Sequence, residues 1–198
     1  MAGPRVLEDL RAEHRSMSKL LELLEHQLDL VSQDRRADSE LLLQIAQYFA
    51  SIPDVYHHPK EDVVLRRLAA RQPAHADSLA LLEAEHEEGG REVQLFLRAV
   101  VRLALEPERG AERFLRAGRA LIESERRHMS WEEKNFFQLA ERVLLPEDWR
   151  AIEAHLRSFL DPLQSVRREE RFSRIDRALA AWRSPMSPGA TPTPSARL

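Results

Sequence analysis

Along residues 6–32 the apolar positions advance by threes and fours. Leu7, Leu10, Met17, Leu21, Leu24, Leu28 and Val31 share one stripe, with polar and charged residues between them. That period is the one an α-helix presents to a bundle core. The stripe has one gap, and His14 fills it. A polar turn at 34–39 leads to a second stripe through Leu42, Ile45, Phe49 and Ile52. Pro53 interrupts this stripe and Pro59 follows it. A ring without an N–H strains a continuing helix, so a break near residues 53–55 and a fresh segment beyond it are expected. The stripe resumes as His57, Glu61, Val64 and Leu68. A competing register through His58, Asp62 and Leu65 also pairs a histidine with a carboxylate, but it continues onto Ala69, and the His57–Glu61 register is preferred.

Gln72-Pro73-Ala74 ends this hairpin, and a third helix runs to about Leu105 with Leu79, Leu82, His86, Val93, Phe96 and Val100 facing inward. Gly89 and Gly90 lie one turn beyond His86. After Glu106-Pro107, which suits a helix start, the fourth stripe carries Phe114, Gly118, Leu121, Glu125, His128, Glu132, Asn135 or Phe136, and Leu139. Leu145-Pro146-Glu147-Asp148 signals another start, with Trp149, Ile152, Leu156 and Phe159 on one face, and Asp161-Pro162 ends that helix. Residues 163–183 read as an amphipathic, basic helix through Val166, Phe172, Ile175, Leu179 and Trp182, a candidate for capping the bundle or for a homodimer contact. From Ser184 the Pro, Ser, Thr and Gly content is too high to support a core, and a disordered tail is expected. The predicted organisation is all-α. An up-down-up-down four-helix bundle with a capping helix occupies 1–160, one accessory amphipathic helix 161–183, and a tail 184–198.

Composition changes this picture little. A length of 198 residues suits one domain with a real core, and only six glycines, 43% apolar and 32% charged residues favour helix. The net charge of −3 gives no electrostatic footprint for nucleic acid. No apolar run approaches the ~20 residues of a membrane span. The first residues, already charged at Arg5, Glu8, Asp9 and Arg11, do not form a secretory signal, so the expected location is the cytoplasm. Cysteine is absent, which excludes disulfides, thiolate metal sites, iron–sulfur ligation and cysteine nucleophiles.

The candidate chemistry lies in the stripes themselves. His57 and Glu61, and His128 and Glu132, stand four residues apart, so on a helix each pair leaves the same face one turn apart and can grip a common ion. Glu-His occurs at Glu13-His14 and Glu85-His86. His14 precedes His57 by 43 residues and His86 precedes His128 by 42, so a two-helix unit is repeated. Six ligand-type side chains result: His14, His57, Glu61, His86, His128 and Glu132. That is about the number needed to hold two metal ions inside a four-helix bundle. The plainer alternative, buried His–Glu hydrogen bonds without metal, would crowd four imidazoles and two carboxylates into one layer for little gain. Glu125 shares the stripe, as a hydrogen-bond acceptor beside the site or as a partly wet residue of the seam.

His14, the His57-His58-Pro59-Lys60-Glu61 run, Glu85-His86 and the 128–133 run HMSWEE resemble the hemerythrin-like HHE cation-binding domain over residues 5 to about 160. The resemblance implies a non-haem di-iron centre, oxo- or hydroxo-bridged. His14, His57, His86 and His128 would be terminal ligands and Glu61 and Glu132 bridges. Two departures bear on function. An oxygen-carrying hemerythrin has a further histidine one turn after the third-helix ligand, where this chain has Gly90, and its last carboxylate is an aspartate at i+5 rather than Glu132 at i+4. Both argue against simple oxygen storage, and Gly90, which supplies no imidazole, implies an open position on the ion near His86. Iron–sulfur repair proteins of the same superfamily share the four-His, two-Glu set but commonly carry an N-terminal cysteine-containing segment.

The expected function is that of a di-iron protein binding or reacting with a small ligand (O2, NO or H2O2) in redox or nitrosative stress, without nucleic-acid or membrane partners. The alternatives are a metal-dependent signalling module without turnover, an iron–sulfur-repair-like protein, and a structural zinc or manganese bundle.

Overall fold

The computed structural model describes residues 4–73, 76–159 and 172–181, and no strand occurs among them. Eight α-helices are described: α1 (Arg5–Ser32), α2 (Ser39–Phe49), α3 (His58–Arg71), α4 (Ala76–Leu105), α5 (Pro107–Trp131), α6 (Phe137–Val143), α7 (Pro146–Phe159) and α8 (Ser173–Ala181). Two single π-helical turns, Pro53–His57 and Glu132–Phe136, lead into α3 and α6. The second bundle helix is thus α2, a π-turn and α3, and the fourth is α5, a π-turn and α6. Around the bundle α1 packs on α5, α5 on α4 and α4 on α2. The architecture is an all-α, up-down-up-down hemerythrin-like bundle with additional C-terminal helices.

Local chemistry accounts for the ends. Asp38 caps α2, its side chain accepting from the Leu41 N–H at 3.1 Å. Pro107 occupies the first turn of α5, where a missing N–H removes nothing. Asp148, fully buried at the start of α7, accepts from the Leu145 N–H at 2.9 Å, Arg67 Nε at 2.6 Å and Arg71 Nε at 2.8 Å, which ties α7 to α3. The α4–α5 corner needs Gly110. A Cβ there would stand 2.7 Å from the Leu103 Cα, in backbone that cannot yield.

The stripes read from the sequence are the core. Leu7, Leu10, Met17, Leu21, Leu24 and Leu28 of α1 are all buried, as are Ile45, Phe49, Val64, Leu68, Val93, Phe96, Phe114 and Leu121 on the other helices. The predicted break is present, though earlier than expected: α2 ends at Phe49, and the chain resumes as a π-turn at Pro53 rather than an open loop. Where the fourth stripe offered Asn135 or Phe136, Phe136 is buried and Asn135 exposed. Phe172 and Ile175, at and beside the start of α8, are buried in the apolar cluster of the main bundle, and the Arg174 guanidinium is bonded to Asp38 at 3.1 and 3.2 Å through Nε. Leu79, Phe159, Val166, Trp182 and the 184–198 tail lie outside the described side chains.

The buried apolar residues form two separate clusters. One runs from Met17 through Phe49, Phe96 and Leu121 to Met129; the other joins Leu7, Leu10, Val64, Leu68, Leu82, Phe136 and Phe137 with Ile152 and Leu156 of α7. His14 falls between Leu10 of one cluster and Met17 of the other, and His57 between Phe49 and Val64. The candidate ligands form the polar layer between these clusters.

Candidate metal centre

All six residues expected from the sequence converge in this layer. Glu61 and Glu132 have no solvent exposure, His14 and His57 are 2% and 4% exposed, and His86 and His128 are partly buried. Each carboxylate divides its oxygens between two pairs of histidines. Glu61 Oε1 lies 3.3 Å from His57 Nε2, and its Oε2 lies 3.5 Å from His86 Nε2. Glu132 Oε2 lies 3.2 Å from His14 Nε2, and its Oε1 lies 3.0 Å from His128 Nε2 and 3.7 Å from His86 Nε2. The arrangement has two halves, His14 with His57 and His86 with His128, and each half faces one oxygen of each glutamate.

The outward nitrogens explain why the rings stand this way. His14 Nδ1 is 3.0 Å from Glu133 Oε1, His57 Nδ1 2.9 Å from Glu13 Oε2, and His128 Nδ1 3.2 Å from Glu85 Oε2. An ionised carboxylate only accepts, so each Nδ1 carries a proton and each Nε2 is the nitrogen turned inward, free to bind a cation once it gives up any proton of its own. Carboxylates fix metal-binding imidazoles in this way. The Glu-His dipeptides thus act crosswise: Glu13 orients His57 rather than His14, and Glu85 orients His128 rather than His86. Lys60, itself buried, bonds to the other oxygen of Glu13 and holds it in place.

The interior of the layer lacks partners. Both oxygens of Glu61, both of Glu132 and the Nε2 atoms of His86 and His128 are buried without a hydrogen bond. His14 Nε2 and His57 Nε2 face each other at 3.0 Å. Two facing lone pairs repel unless a proton or a cation stands with them. The electrostatics agree. Burial opposes a charged imidazole at His57, yet the Glu61 charge and the Glu13 hydrogen bond raise its pKa to about 10. Burial likewise opposes charge at His128, and Glu132 raises its pKa to about 9. Burial pushes the Glu132 carboxyl up, but the surrounding imidazoles hold it well below the usual carboxylate range. Hard oxygens and imidazole nitrogens fit a first-row divalent or trivalent ion, and these residues could hold one or two of them.

A cavity of about 260 Å³ opens on the His86–His128 half. Phe49, Pro53, Gly89, Gly90, Val93 and Glu125 contribute to its wall. A Cβ on Gly89 or Gly90 would meet nothing within 4 Å, so the two glycines leave that side open. Burial raises the Glu125 carboxyl to about 7.

His58, the histidine of the competing register, belongs to this layer as well. It lines the same cavity, its ring stacked on His86 with centroids 3.9 Å apart and planes at 13°. The registers through His57 and His58 look exclusive in sequence because an α-helix separates consecutive side chains by about 100°. The π-turn ending at His57 relaxes that constraint, and both rings lie at the centre. Asp62, the carboxylate of the competing register, is not among the groups gathered there.

A family model, the hemerythrin HHE cation-binding domain, matches residues 5–140. No curated protein and no solved structure matches the chain significantly.

Proposed function

Because the chain belongs to the hemerythrin HHE cation-binding family, we propose that it is a non-haem di-iron protein that binds or reacts with a small ligand such as O2, NO or H2O2 in redox or nitrosative stress. In this reading Glu61 and Glu132 would serve both irons, with His14 and His57 holding one and His86 and His128 the other. The observation that carries the reading is the divided carboxylates: four buried oxygens without hydrogen bonds, each glutamate facing both histidine pairs. A single ion would leave one pair without a purpose. A purely structural layer would have to bury two carboxylates against imidazolium contacts of 3.0–3.7 Å alone, an ion-pair arrangement that rarely offsets its desolvation.

Bound iron would supply a redox-active Lewis acid able to take a small neutral ligand. The protein supplies the rest. The cavity beside Gly89 and Gly90 gives a small ligand, with a few waters, a route to the His86–His128 half. Phe49, Pro53 and Val93 keep part of that route apolar, and Phe137 stacked on His14 at 5.5 Å walls off the opposite half. Glu125, with its pKa near neutrality, can give or take a proton at the cavity wall. Iron analysis and an optical spectrum of protein from iron-replete cells test the reading. About two irons per chain with charge-transfer absorption are expected, and a colourless, redox-silent protein holding zinc or manganese would refute it. Turnover of excess peroxide or NO separates an enzyme from a sensor that reacts once.

A further inference from the structure

His58 carries the same kind of outer support as three of the four histidines already assigned. Its Nδ1 lies 3.1 Å from Asp54 Oδ1, one turn back on its own chain segment. His14, His57 and His128 each have a carboxylate on Nδ1 in the same way. A carboxylate on Nδ1 leaves Nε2 as the free nitrogen and fixes the ring plane, as metal-binding imidazoles require. A histidine that merely filled the cavity wall would need no such partner. The free nitrogen also has a destination, since His58, His86 and His128 each bring a ring nitrogen within 4.8 Å of the others.

We propose that His58 is a fifth imidazole ligand of the centre, taken by the ion that His86 and His128 hold. The proposal rests on the di-iron reading above and departs from one expectation attached to it, that Gly90 leaves that ion with an open position. Gly90 does leave space, as its free Cβ direction shows, but an imidazole reaches the same half from the second bundle helix instead of the third. The π-turn Pro53–His57 makes this reach available, because it brings consecutive histidines to one centre, one to each half. The donor sets are then unequal. Three imidazoles and two carboxylate oxygens serve the second ion, and two imidazoles and two oxygens serve the first. His58 lines the cavity together with His86 and His128, so a small ligand entering there competes with His58 for the ion.

The test compares the iron-loaded wild type with His58→Phe, which keeps a ring to stack on His86 but has no donor nitrogen, and with His58→Ala. The readouts are the rate of iron loss to a chelator, the optical spectrum and azide titration. Outer carboxylates alone are worth about 10–100-fold in metal affinity. Both variants should therefore lose one of the two irons at least about tenfold faster, bind azide more tightly, and show a changed spectrum. Free imidazole should restore retention and spectrum in His58→Ala. If His58→Phe matches the wild type in all three readouts, His58 is a stacking residue only, and the proposal falls while the di-iron reading stands. If His58→Phe does not fold, His58→Ala decides in the same way: wild-type iron retention overturns the proposal, and rescue by imidazole supports it. A wild type that takes up no iron overturns both readings.

Discussion

Glu61→Gln should have opposite effects on the metal-free and iron-loaded proteins. Glu61 has no solvent exposure, and neither of its oxygens has a hydrogen bond. Without metal its charge is balanced only by protons on the imidazoles around it, chiefly His57, held up to about 10. Glutamine has the same shape without the charge. Its amide N–H can donate to an Nε2 lone pair, and His57 can then lose its proton, so no charge is left stranded. Leaving a buried polar group unsatisfied costs about 1–3 kcal/mol, and neutral replacement of a buried ionic group is commonly neutral or stabilising. The metal-free variant should gain up to that amount. At about 2–4 °C per kcal/mol for a chain of this size, its melting temperature should rise by roughly 2–12 °C.

The pH dependence supplies an independent sign. A raised histidine pKa stabilises fully below the unfolded value near 6.5, and the contribution fades as pH climbs through about 10. Metal-free wild type should lose stability across that window, and Glu61→Gln should flatten the loss. With iron the order reverses, because removing a shared carboxylate weakens both sites, and iron content should fall for both ions. Far-ultraviolet circular dichroism melts of chelator-treated and iron-loaded samples, with metal analysis, provide the measurement. A metal-free Glu61→Gln protein that melts below wild type would show that the carboxylate is a structural ion-pair member, and the argument from unsatisfied oxygens would fail.

Three further outcomes rest on the packing and the site. Gly110→Ala should destabilise by about 1–3 kcal/mol through overpacking against the Leu103 backbone, whereas Gly89→Ala, with open space at its Cβ, should stabilise by up to about 1 kcal/mol; denaturant melts of the metal-free proteins measure both. Asp148, held down to about 2 against burial by Arg71, Leu145 and Arg67, contributes stability above its unfolded pKa near 3.8 that disappears as pH falls through about 2, so Asp148→Asn should be less stable than wild type at neutral pH and converge with it in acid. Gly90→His should fold, since nothing meets its Cβ, and should slow azide or NO binding by filling the cavity; an unchanged binding rate would place the ligand route elsewhere.

The seam was legible because burial of one helix face leaves a period of three and four, and histidines substituting into a leucine stripe stand out against it. His14, His57, Glu61, His86, His128 and Glu132 were found that way. The repeat at spacings of 43 and 42 residues also corresponds to paired contacts, Glu13 with His57 and Glu85 with His128. Which helix each carboxylate would serve was not legible, since a dipeptide says nothing about the ring across the bundle. Neither was His58, because strict helical periodicity admits only one of two adjacent histidines. The π-turns that suspend it differ from an α-turn by a single residue, for which no residue type is diagnostic. Pro59 was the one clue. Its ring would crowd the Val55 carbonyl in a regular α-helix, and the widened turn Pro53–His57 ends two residues before it.

The two π-turns also bear on how the protein loosens. Each ends in a wide i→i−5 amide bond, His58 N–H to the Pro53 carbonyl and Phe137 N–H to the Glu132 carbonyl, where an α-turn would close one residue sooner. Slipping back to α-helical winding would rotate the helix on one side of the turn against the helix on the other by about a quarter of a revolution, and His57 or Glu132 would swing away from its partners. Ions held by His57 with Glu61 beyond the first turn, and by His128 with Glu132 at the start of the second, would act as a pawl against that slip. Hydrogen exchange at residues 53–58 and 132–137 should therefore slow on iron loading far more than exchange in the middle of α1, where winding is regular throughout.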